Sequence, residues 1–535
     1  MSLEEYKNKR ILISSYQPYT VKVVQKLVSS LQWQPKVWFV ADENRQLIAE
    51  HFPAALQYDF FDVVKGRLPE GLAIHHLDLP SPDELQWLAK YEYNFIYMLE
   101  RNDSNDSAFE YKERLAFYYH VIGLWKSVIA KYGIEVVLFE EEPHQAVDYG
   151  LYLVAKLLGI TTVMTTRTIS ELGILPYHDF EVGFPELNRK YQALEQAFVE
   201  RGEQGLAISE AIEAYFQKMN ADYQTILKEH LWDQVEEYNK LASKKKFSVP
   251  SVAEVFKKLS VAIDVGGRFI KNTPIRSDQY KAGYSMMDSH YSYREYVINK
   301  VKAIGTKRNI KRAYDALSVD SLADLPTGKK FIYVALQYQP EKSTCPLAGR
   351  FVDQRHLVKW LVSQLDDSWH ILVKEHPSQF ISSYTRFGEC FRTERYYQEL
   401  AAIPNVSLLD LSLDSFKIMA SCEAVASAGG TVCWEAIARG KPALSFAVSW
   451  FRPCHGVFYI NTLADLQQAM AQIESGFTPA PYLVKAFAQL IKNYDFYAAI
   501  GGIASLQYKN VNEGSNALAH YNAITHLLSD TYNKS

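Results

Sequence analysis

The chain has 535 residues, which is too many for one hydrophobic core and predicts at least two domains. Hydrophobic residues make up 48% of the chain and charged residues 22%, as in ordinary globular proteins. The formal net charge of −4 excludes the strong positive field typical of nucleic-acid binding, and no apolar run approaches the roughly 20 residues that a membrane-spanning helix needs.

The first third of the chain alternates short apolar runs with amphipathic stretches. Two stretches, residues 19–31 and 146–159, have the period of helices. Apolar runs around them predict strands at residues 10–15, 36–41, 134–140 and 160–166. Because strands that alternate with helices predict a parallel sheet, we assign residues 1–185 to an N-terminal Rossmann-like domain that holds the acceptor and the catalytic groups.

The middle of the chain has a different pattern. Residues 187–219 have a helical period, and charge runs such as Lys244–Lys246 follow. We interpret residues 186–325 as a helical insertion and connector.

A second α/β pattern follows the connector. Its predicted strands are residues 329–337, 370–375, 406–410, 423–427 and 442–447. We assign residues 326–480 to a C-terminal Rossmann-like domain that binds nucleotide, and residues 481–535 to helices that pack back across the domains. Two such domains with a helical tail predict the α/β architecture called GT-B, in which ligands bind in the cleft outside the carboxyl ends of the strands.

Polar residues follow the strands of the second half, and we expect them to form one nucleotide-sized site. The glycine turn before residue 432 exposes backbone N–H groups at the start of a helix, which favours an anion. Lys374 and His376 can contact a phosphate, and Glu435 can accept from both hydroxyls of a ribose. The predicted nucleotide-binding residues are Gln339, Pro340, Lys374, His376, Pro377, Ser415, Ser427, Gly429, Gly430, Thr431 and Glu435. Taken singly, a glycine turn or a Lys-Glu-His loop is ordinary structure, and the joint pattern favours the site.

Three of these segments resemble a known family. ALQYQPEKST (335–344), HILVKEHPSQF (370–380) and SAGGTVCWEAIARGKPALSF (427–446) are similar to bacterial capsule and surface-polysaccharide biosynthesis proteins, including the Kdo (3-deoxy-manno-octulosonic acid) transferases of capsule assembly. Paired QP and HP motifs mark that group, and here they are Gln339-Pro340 and His376-Pro377. The resemblance is strong over residues 330–450 and weaker at residues 136–160.

The resemblance implies a GT-B glycosyltransferase that moves an acidic ulosonic sugar, such as Kdo or pseudaminic acid, from a CMP donor to a surface glycan or lipid-linked acceptor. The resemblance also implies that the reaction retains the configuration of the anomeric carbon. The CMP-sugar is a substrate, and no cofactor is implied. A site with few cationic donors suits the single phosphate of such a donor.

The segment FEEEPHQAVD (139–148) is the candidate for the catalytic groups of the N-terminal domain. A carboxylate there can act as general base toward the acceptor hydroxyl or as nucleophile on the anomeric carbon. We prefer Glu142, then Glu141, with His144 beside them, and strand alternation predicts that Glu140 and Glu142 share a face. The three glutamates can also simply favour the start of the next helix. Arg101 and Arg167 are candidates for binding a sugar carboxylate, although each can equally be a surface arginine.

Two other functions remain open on the sequence. One is a UDP-sugar epimerase or hydrolase of the same two-domain fold, and the other is a non-catalytic capsule-assembly partner. No DxD-type motif predicts a metal site in the first domain.

The expected compartment is the cytoplasm. The five cysteines form no CxxC pair, and the first ten residues lack the apolar core of a signal peptide. Peripheral association with the inner membrane through the basic segment KKKF (244–247) is possible on the sequence, and a solvated basic patch is the alternative.

Overall fold

A computed structural model describes residues 3–40, 44–100, 110–169, 172–203, 207–220, 293–380, 391–501, 506 and 509–529, apart from the side chains of residues 76 and 293–304. Arg101, the basic segment 244–247 and much of the predicted connector lie outside these residues. Among the residues described, no helix is long and apolar enough to cross a membrane.

The N-terminal domain is built on a six-stranded sheet of the described residues. Its strands are β1 (Arg10–Ser14), β2 (Gln34–Val40), β3 (Leu56–Asp59), β4 (Val136–Phe139), β5 (Thr161–Arg167) and β6 (Ile174–Tyr177). The order across the sheet is β3-β2-β1-β4-β5-β6, with parallel pairing except between β5 and β6. All four residues of β4 are apolar and buried, as a strand covered on both faces requires.

Helices cover both faces of this sheet. They are α1 (Tyr19–Leu31), α2 (Arg45–His51), α3 (Phe60–Val64), α4 (Pro82–Leu99), α5 (Tyr111–Tyr132) and α6 (Ala146–Leu157). A capping box between Ser81 and Glu84 starts α4, and Gly133, with a φ of 58°, ends α5. Helices α4, α5 and α6 form one core with the sheet, and α1 packs on the opposite face.

The C-terminal domain repeats this topology. Its strands are β7 (Ser318–Val319), β8 (Lys330–Ala335), β9 (Trp369–Lys374), β10 (Val406–Leu409), β11 (Ala424–Ser427), β12 (Ala443–Ser445) and β13 (Val457–Tyr459). They pair in parallel in the order β13-β12-β11-β8-β9-β10-β7. Apart from the edge strand β7, this is the order of the first sheet, with β8 in the place of β1 and β11 in the place of β4. The predicted fold class, two Rossmann-like α/β domains in the GT-B arrangement, is confirmed.

The remaining helices follow β6, and all of them except the last, α16, connect or flank the second sheet. They are α7 (Pro185–Arg201), α8 (Glu210–Met219), α9 (Tyr293–Leu317), α10 (Gln354–Ser363), α11 (Glu394–Ala401), α12 (Ser415–Ala420), α13 (Val432–Ala438), α14 (Leu463–Glu474), α15 (Pro481–Lys492) and α16 (Glu513–Ser529).

The described part of the connector belongs to the C-terminal domain. Tyr215 on α8 accepts a hydrogen bond of 2.7 Å from Trp434 Nε1 in the C-terminal core. At its other end, Tyr314 on α9 is fully buried in the same domain, and β7 extends the sheet. The C-terminal domain therefore begins before residue 326, since the edge strand and its helix complete the core.

The last helix returns to the N-terminal domain. Ile524 and Leu527 of α16 join the core that α1 forms on the first sheet. On the way, Phe496 O accepts a hydrogen bond of 3.0 Å from Ile174 N beside β6. Gly173 permits this contact, because a Cβ there would lie 2.2 Å from Phe496 O. The tail therefore links the two domains, since α15 packs in the C-terminal core and α16 packs in the N-terminal one.

Candidate functional site

A cleft of about 760 Å³ lies between the carboxyl ends of the two sheets. In each domain it adjoins the point where the strand order reverses, between β1 and β4 and between β8 and β11. Such reversal points are where open α/β sheets bind ligands. Predicted site residues that line the cleft are Glu141, Glu142, His144, Arg167, Pro340, Lys374, His376, Pro377, Ser415, Gly429, Gly430, Thr431 and Glu435.

The acidic turn after β4 separates its three glutamates. Strand β4 ends at Phe139, so strict alternation stops before the acidic residues. Glu140 turns toward β1 and α1, where it accepts hydrogen bonds of 3.1 Å from Ser15 Oγ and from Tyr19 OH. Burial and repulsion by Glu141 raise the pKa of Glu140 to about 7.

Glu141 and Glu142 meet the same cation across the cleft. Lys342 Nζ, from the loop after β8, lies 2.7 Å from Glu141 Oε2 and 2.7 Å from Glu142 Oε2. The prediction that Glu140 and Glu142 share a face is therefore wrong, because the chain has left the strand geometry by Glu140. Lys342 was not among the predicted site residues, since a lysine in a polar loop carries no signal of its partner in the other domain.

The two carboxylates differ in access. The Glu142 side chain is 2% exposed and also hydrogen-bonds to Tyr177, whereas the Glu141 side chain is 25% exposed. Burial opposes the charge on Glu141, but Lys342, His144 and Arg167 outweigh burial and hold the pKa of Glu141 well below its ordinary value. Glu141 is thus an ionised carboxylate at the cleft surface, and Glu142, the preferred catalytic candidate, is buried beside it.

His144 and Arg167 complete the N-terminal wall. His144 Nδ1 lies 2.9 Å from the backbone O of Glu142, which fixes the ring beside the acidic turn. Arg167, at the end of β5, hydrogen-bonds through Nη2 to Ile500 O in the returning tail. Both side chains line the cleft, and their positive charge acts on Glu141.

Gln339 of the QP motif does not line the cleft. Its side chain is 1% exposed and donates hydrogen bonds of 2.6 Å to Val352 O and 3.2 Å to Tyr97 OH of α4. Gln339 therefore braces the loop after β8 against the N-terminal domain, and its assignment as a nucleotide contact is corrected. Other residues of this loop line the cleft, and among them is Gln337, two residues earlier, which the sequence analysis did not include.

Lys374 and His376 of the VKEHP segment lie at the end of β9. Lys374 is 3% exposed, and its Nζ donates to Leu413 O and, at 3.0 Å, to Ser415 Oγ. Burial lowers the pKa of Lys374 to about 8, although Asp414 and Asp410 oppose the shift. His376 Nδ1 accepts a hydrogen bond of 3.3 Å from Ser378 N, so the neutral ring carries its proton on Nε2. Ser415 thus positions Lys374, and Asp414, its neighbour, caps α12.

Glu375 of the same segment forms a buried ion pair beneath the cleft floor. Its Oε2 lies 2.5 Å from Arg392 Nε and accepts a hydrogen bond of 2.7 Å from Tyr397 OH. The two charged side chains are 0% and 1% exposed. Arg392 also donates to Gln339 Oε1 and, at 3.2 Å, to Gln337 O. This pair therefore holds the QP loop and the HP loop together.

The glycine turn after β11 forms the floor next to Gln337. Gln337 Nε2 donates to Ser427 Oγ at 3.0 Å, and a Cβ at Gly430 would lie 2.1 Å from the same Nε2. Ser427 is fully buried and does not line the cleft, so it supports Gln337 rather than the ligand. Helix α13 has only seven residues, which limits the dipole expected to favour an anion there.

Thr431 and Glu435 lie along the rim of this turn. Thr431 Oγ1 is 3.5 Å from Glu435 Oε1, a contact at the limit of a hydrogen bond. Aromatic side chains complete the cleft walls and can pack on a base or a sugar face. They are Tyr177, Phe180, Phe184, Tyr333, Trp450 and Phe451.

Comparisons with known proteins give no family assignment. No protein-family model and no curated protein sequence matches the chain. Among solved structures, it is similar to a UDP-GlcNAc 2-epimerase from Neisseria meningitidis, with 12% identity, coverage of 90% of this chain and 98% of the other, and a TM-score of 0.22.

Two other solved structures cover both chains as extensively. A glycosyltransferase from Rickettsia africae has 11% identity, with 97% and 99% of the two chains covered and a TM-score of 0.21. The Escherichia coli ADP-heptose LPS heptosyltransferase II has 7% identity, with 88% and 99% covered and a TM-score of 0.21. Because these TM-scores are low, we base the fold on the two sheets alone.

Proposed function

We propose that this protein is a glycosyltransferase that moves an acidic ulosonic sugar from a CMP donor to a surface glycan or lipid-linked acceptor. The observation that carries the proposal is the cleft between the two domains, where the partly exposed carboxylate of Glu141 in one domain faces the phosphate-binding candidates of the other. The cytoplasmic location and a peripheral membrane contact stay predictions.

The C-terminal wall suits the nucleotide half of such a donor. Lys374 and His376 offer a buried cation and an imidazole donor on one side, and Glu435 offers a bidentate acceptor for ribose hydroxyls on the other. Among the lysines and arginines that line the cleft in the described part of the chain, Lys342 and Lys374 come from this domain. Since Lys342 already pairs with Glu141 and Glu142, the C-terminal wall supports one phosphate better than two.

The acidic turn suits the chemical step. Glu141, ionised and partly exposed, attacks the anomeric carbon while the bond from that carbon to the phosphate oxygen breaks. The electron pair of that bond leaves with CMP, whose added charge Lys374 and His376 stabilise. In the second half-reaction the acceptor oxygen displaces Glu141 and loses its proton to a nearby base such as the CMP phosphate. Two displacements at one carbon retain its configuration, as the resemblance implies.

Ligand protection tests the proposal. We expect CMP and CMP-sugars to raise the thermal unfolding midpoint, with UDP, ADP and GMP as controls, because ligands that bind only the folded state stabilise it. We also expect radiolabelled sugar to pass from CMP-Kdo, CMP-pseudaminic acid or CMP-N-acetylneuraminic acid to a glycan acceptor.

Two results would contradict it. Absence of both protection by CMP compounds and transfer would reject a CMP-dependent transferase. Conversion of UDP-N-acetylhexosamine without any acceptor would instead identify an epimerase or hydrolase.

A further inference from the structure

Lys342 is the cation of the C-terminal domain that contacts the acidic turn. Its Nζ lies 2.7 Å from one oxygen of Glu141 and 2.7 Å from one oxygen of Glu142, and its side chain is 26% exposed. An ammonium group has three N–H donors, and these ion pairs account for two of them. Lys342 thus already has the geometry of a carboxylate-binding residue in the cleft lining.

The structure of an ulosonic sugar places its carboxylate next to the carbon that Glu141 attacks, and so near Lys342. In these sugars the carboxylate is bonded directly to the anomeric carbon. When that carbon lies about 3 Å from an attacking glutamate, the sugar carboxylate is necessarily close to the cation that pairs with the glutamate. A residue that binds the sugar carboxylate must therefore adjoin the nucleophile, which Lys342 does.

The other cations of the cleft lining have different partners. Arg167, a sequence candidate for this role, hydrogen-bonds through Nη2 to Ile500 O in the returning tail. Lys374 Nζ donates to Leu413 O and Ser415 Oγ, which follow β10 in the C-terminal domain. Neither has an ion pair with Glu141 or Glu142 among the described contacts, so Lys342 fits the sugar carboxylate best.

We propose that Lys342 binds the carboxylate of the donor sugar and thereby selects acidic donors. This inference rests on the proposed function and names the substrate determinant of the same cleft. The incoming carboxylate competes with Glu141, the more exposed partner, whereas Glu142 stays paired because Tyr177 also holds it. Donor binding thus weakens the ion pair between Glu141 and Lys342 when Glu141 faces the anomeric carbon.

The position of Lys342 also couples this step to nucleotide binding. Lys342 follows Gln339, which Arg392 and Tyr97 hold, and Gln337, which contacts the glycine turn. The loop after β8 therefore carries Gln337 next to the nucleotide side of the cleft and Lys342 next to Glu141, the nucleophile. Lys342 acts by binding and positioning the donor.

Calorimetric titration without acceptor tests the inference. The probes are CMP, which lacks the sugar carboxylate, and CMP-N-acetylneuraminic acid and CMP-Kdo, which carry it. We expect the wild type to bind at least one acidic CMP-sugar about tenfold more tightly than CMP, as one charged hydrogen bond permits. Lys342→Met should abolish this preference, and Lys342→Arg should retain part of it.

Two further variants serve as controls. Glu141→Gln and Glu142→Gln combined with Lys342→Met remove the repulsion that the two unpaired glutamates would exert, and the preference should still be absent. Lys359→Met, at an exposed lysine of α10, should leave both affinities unchanged.

The outcomes separate the inference from the proposed function. If the wild type prefers acidic CMP-sugars and Lys342→Met keeps that preference, the role of Lys342 is rejected and the transferase stands. Equal affinity of the wild type for CMP and all the CMP-sugars also rejects the role of Lys342. If the wild type binds no CMP compound, both proposals fail.

Discussion

Removal of Arg392 should destabilise the C-terminal domain more than most single substitutions. In Arg392→Met the Glu375 carboxylate stays buried but loses the guanidinium, whose Nε is 2.5 Å away. Tyr397 OH and His376 N, each at 2.7 Å, remain as its donors. Removing one member of a buried ion pair costs about 3–5 kcal/mol, because the other charge is left without compensation in a medium that solvates it poorly.

Urea unfolding followed by tryptophan fluorescence measures this cost. The C-terminal core contains Trp369 and Trp434, both at most 1% exposed, so their emission reports its unfolding. A loss of about 4 kcal/mol corresponds to a fall of roughly 8–16 °C in the melting temperature of a domain of 150–250 residues.

A double-mutant cycle separates the ion pair from other effects of the substitution. Glu375→Gln combined with Arg392→Met removes both charges of the pair, so its cost should be smaller than the sum of the two single variants by at least about 1 kcal/mol. A loss below about 1 kcal/mol for Arg392→Met, or strict additivity in the cycle, would refute the reasoning.

Two further predictions concern the nucleotide side of the cleft. The pKa of Lys374 is about 8 in the folded protein, below its ordinary value of 10.5. Between these pH values the unfolded chain binds more protons at this lysine than the folded protein does. The contribution of Lys374 to stability is therefore unfavourable below about pH 8, and this cost is lost as pH rises toward 10.5. CMP affinity should accordingly fall as pH rises through about 8, and Lys374→Met should weaken binding and remove this dependence; an unchanged pH profile of the dissociation constant in the variant would contradict the assignment. Gly430→Ala should weaken CMP binding at least tenfold, about 1.4 kcal/mol, because its Cβ would displace Gln337, 2.1 Å away. Gly305→Ala, where a Cβ meets nothing within 4 Å, is the matched control, and equal CMP affinity of the two variants would exclude this role for the turn.

Strand-end positions were the part of the site that the sequence predicted well. Apolar runs of the right length locate β8, β9, β10 and β11 within two residues at each end, because burial on both faces requires such runs. Parallel strands bring their carboxyl ends together, so Lys374, His376 and Gly430 could be grouped before any contact was known. The short strands β3, β6, β7 and β13 were not predicted.

Side-chain direction within the loops could not be predicted. Gln339 and Ser427 were expected to contact ligand, yet each is buried and satisfies polar groups beneath the cleft. Local sequence does not distinguish a residue that faces the ligand from one that supports it, because both follow a strand and both are polar.

By itself, the sequence determined two Rossmann-like domains and the strand ends where a ligand can bind, because the periodicity of burial is a local property of the chain. Only the tertiary structure decided that Glu375 pairs with Arg392, and that Lys342 of one domain joins Glu141 and Glu142 of the other. These partners are 17 residues apart in the first case and about 200 in the second. Coulombic attraction depends on distance in space, which sequence separation does not give.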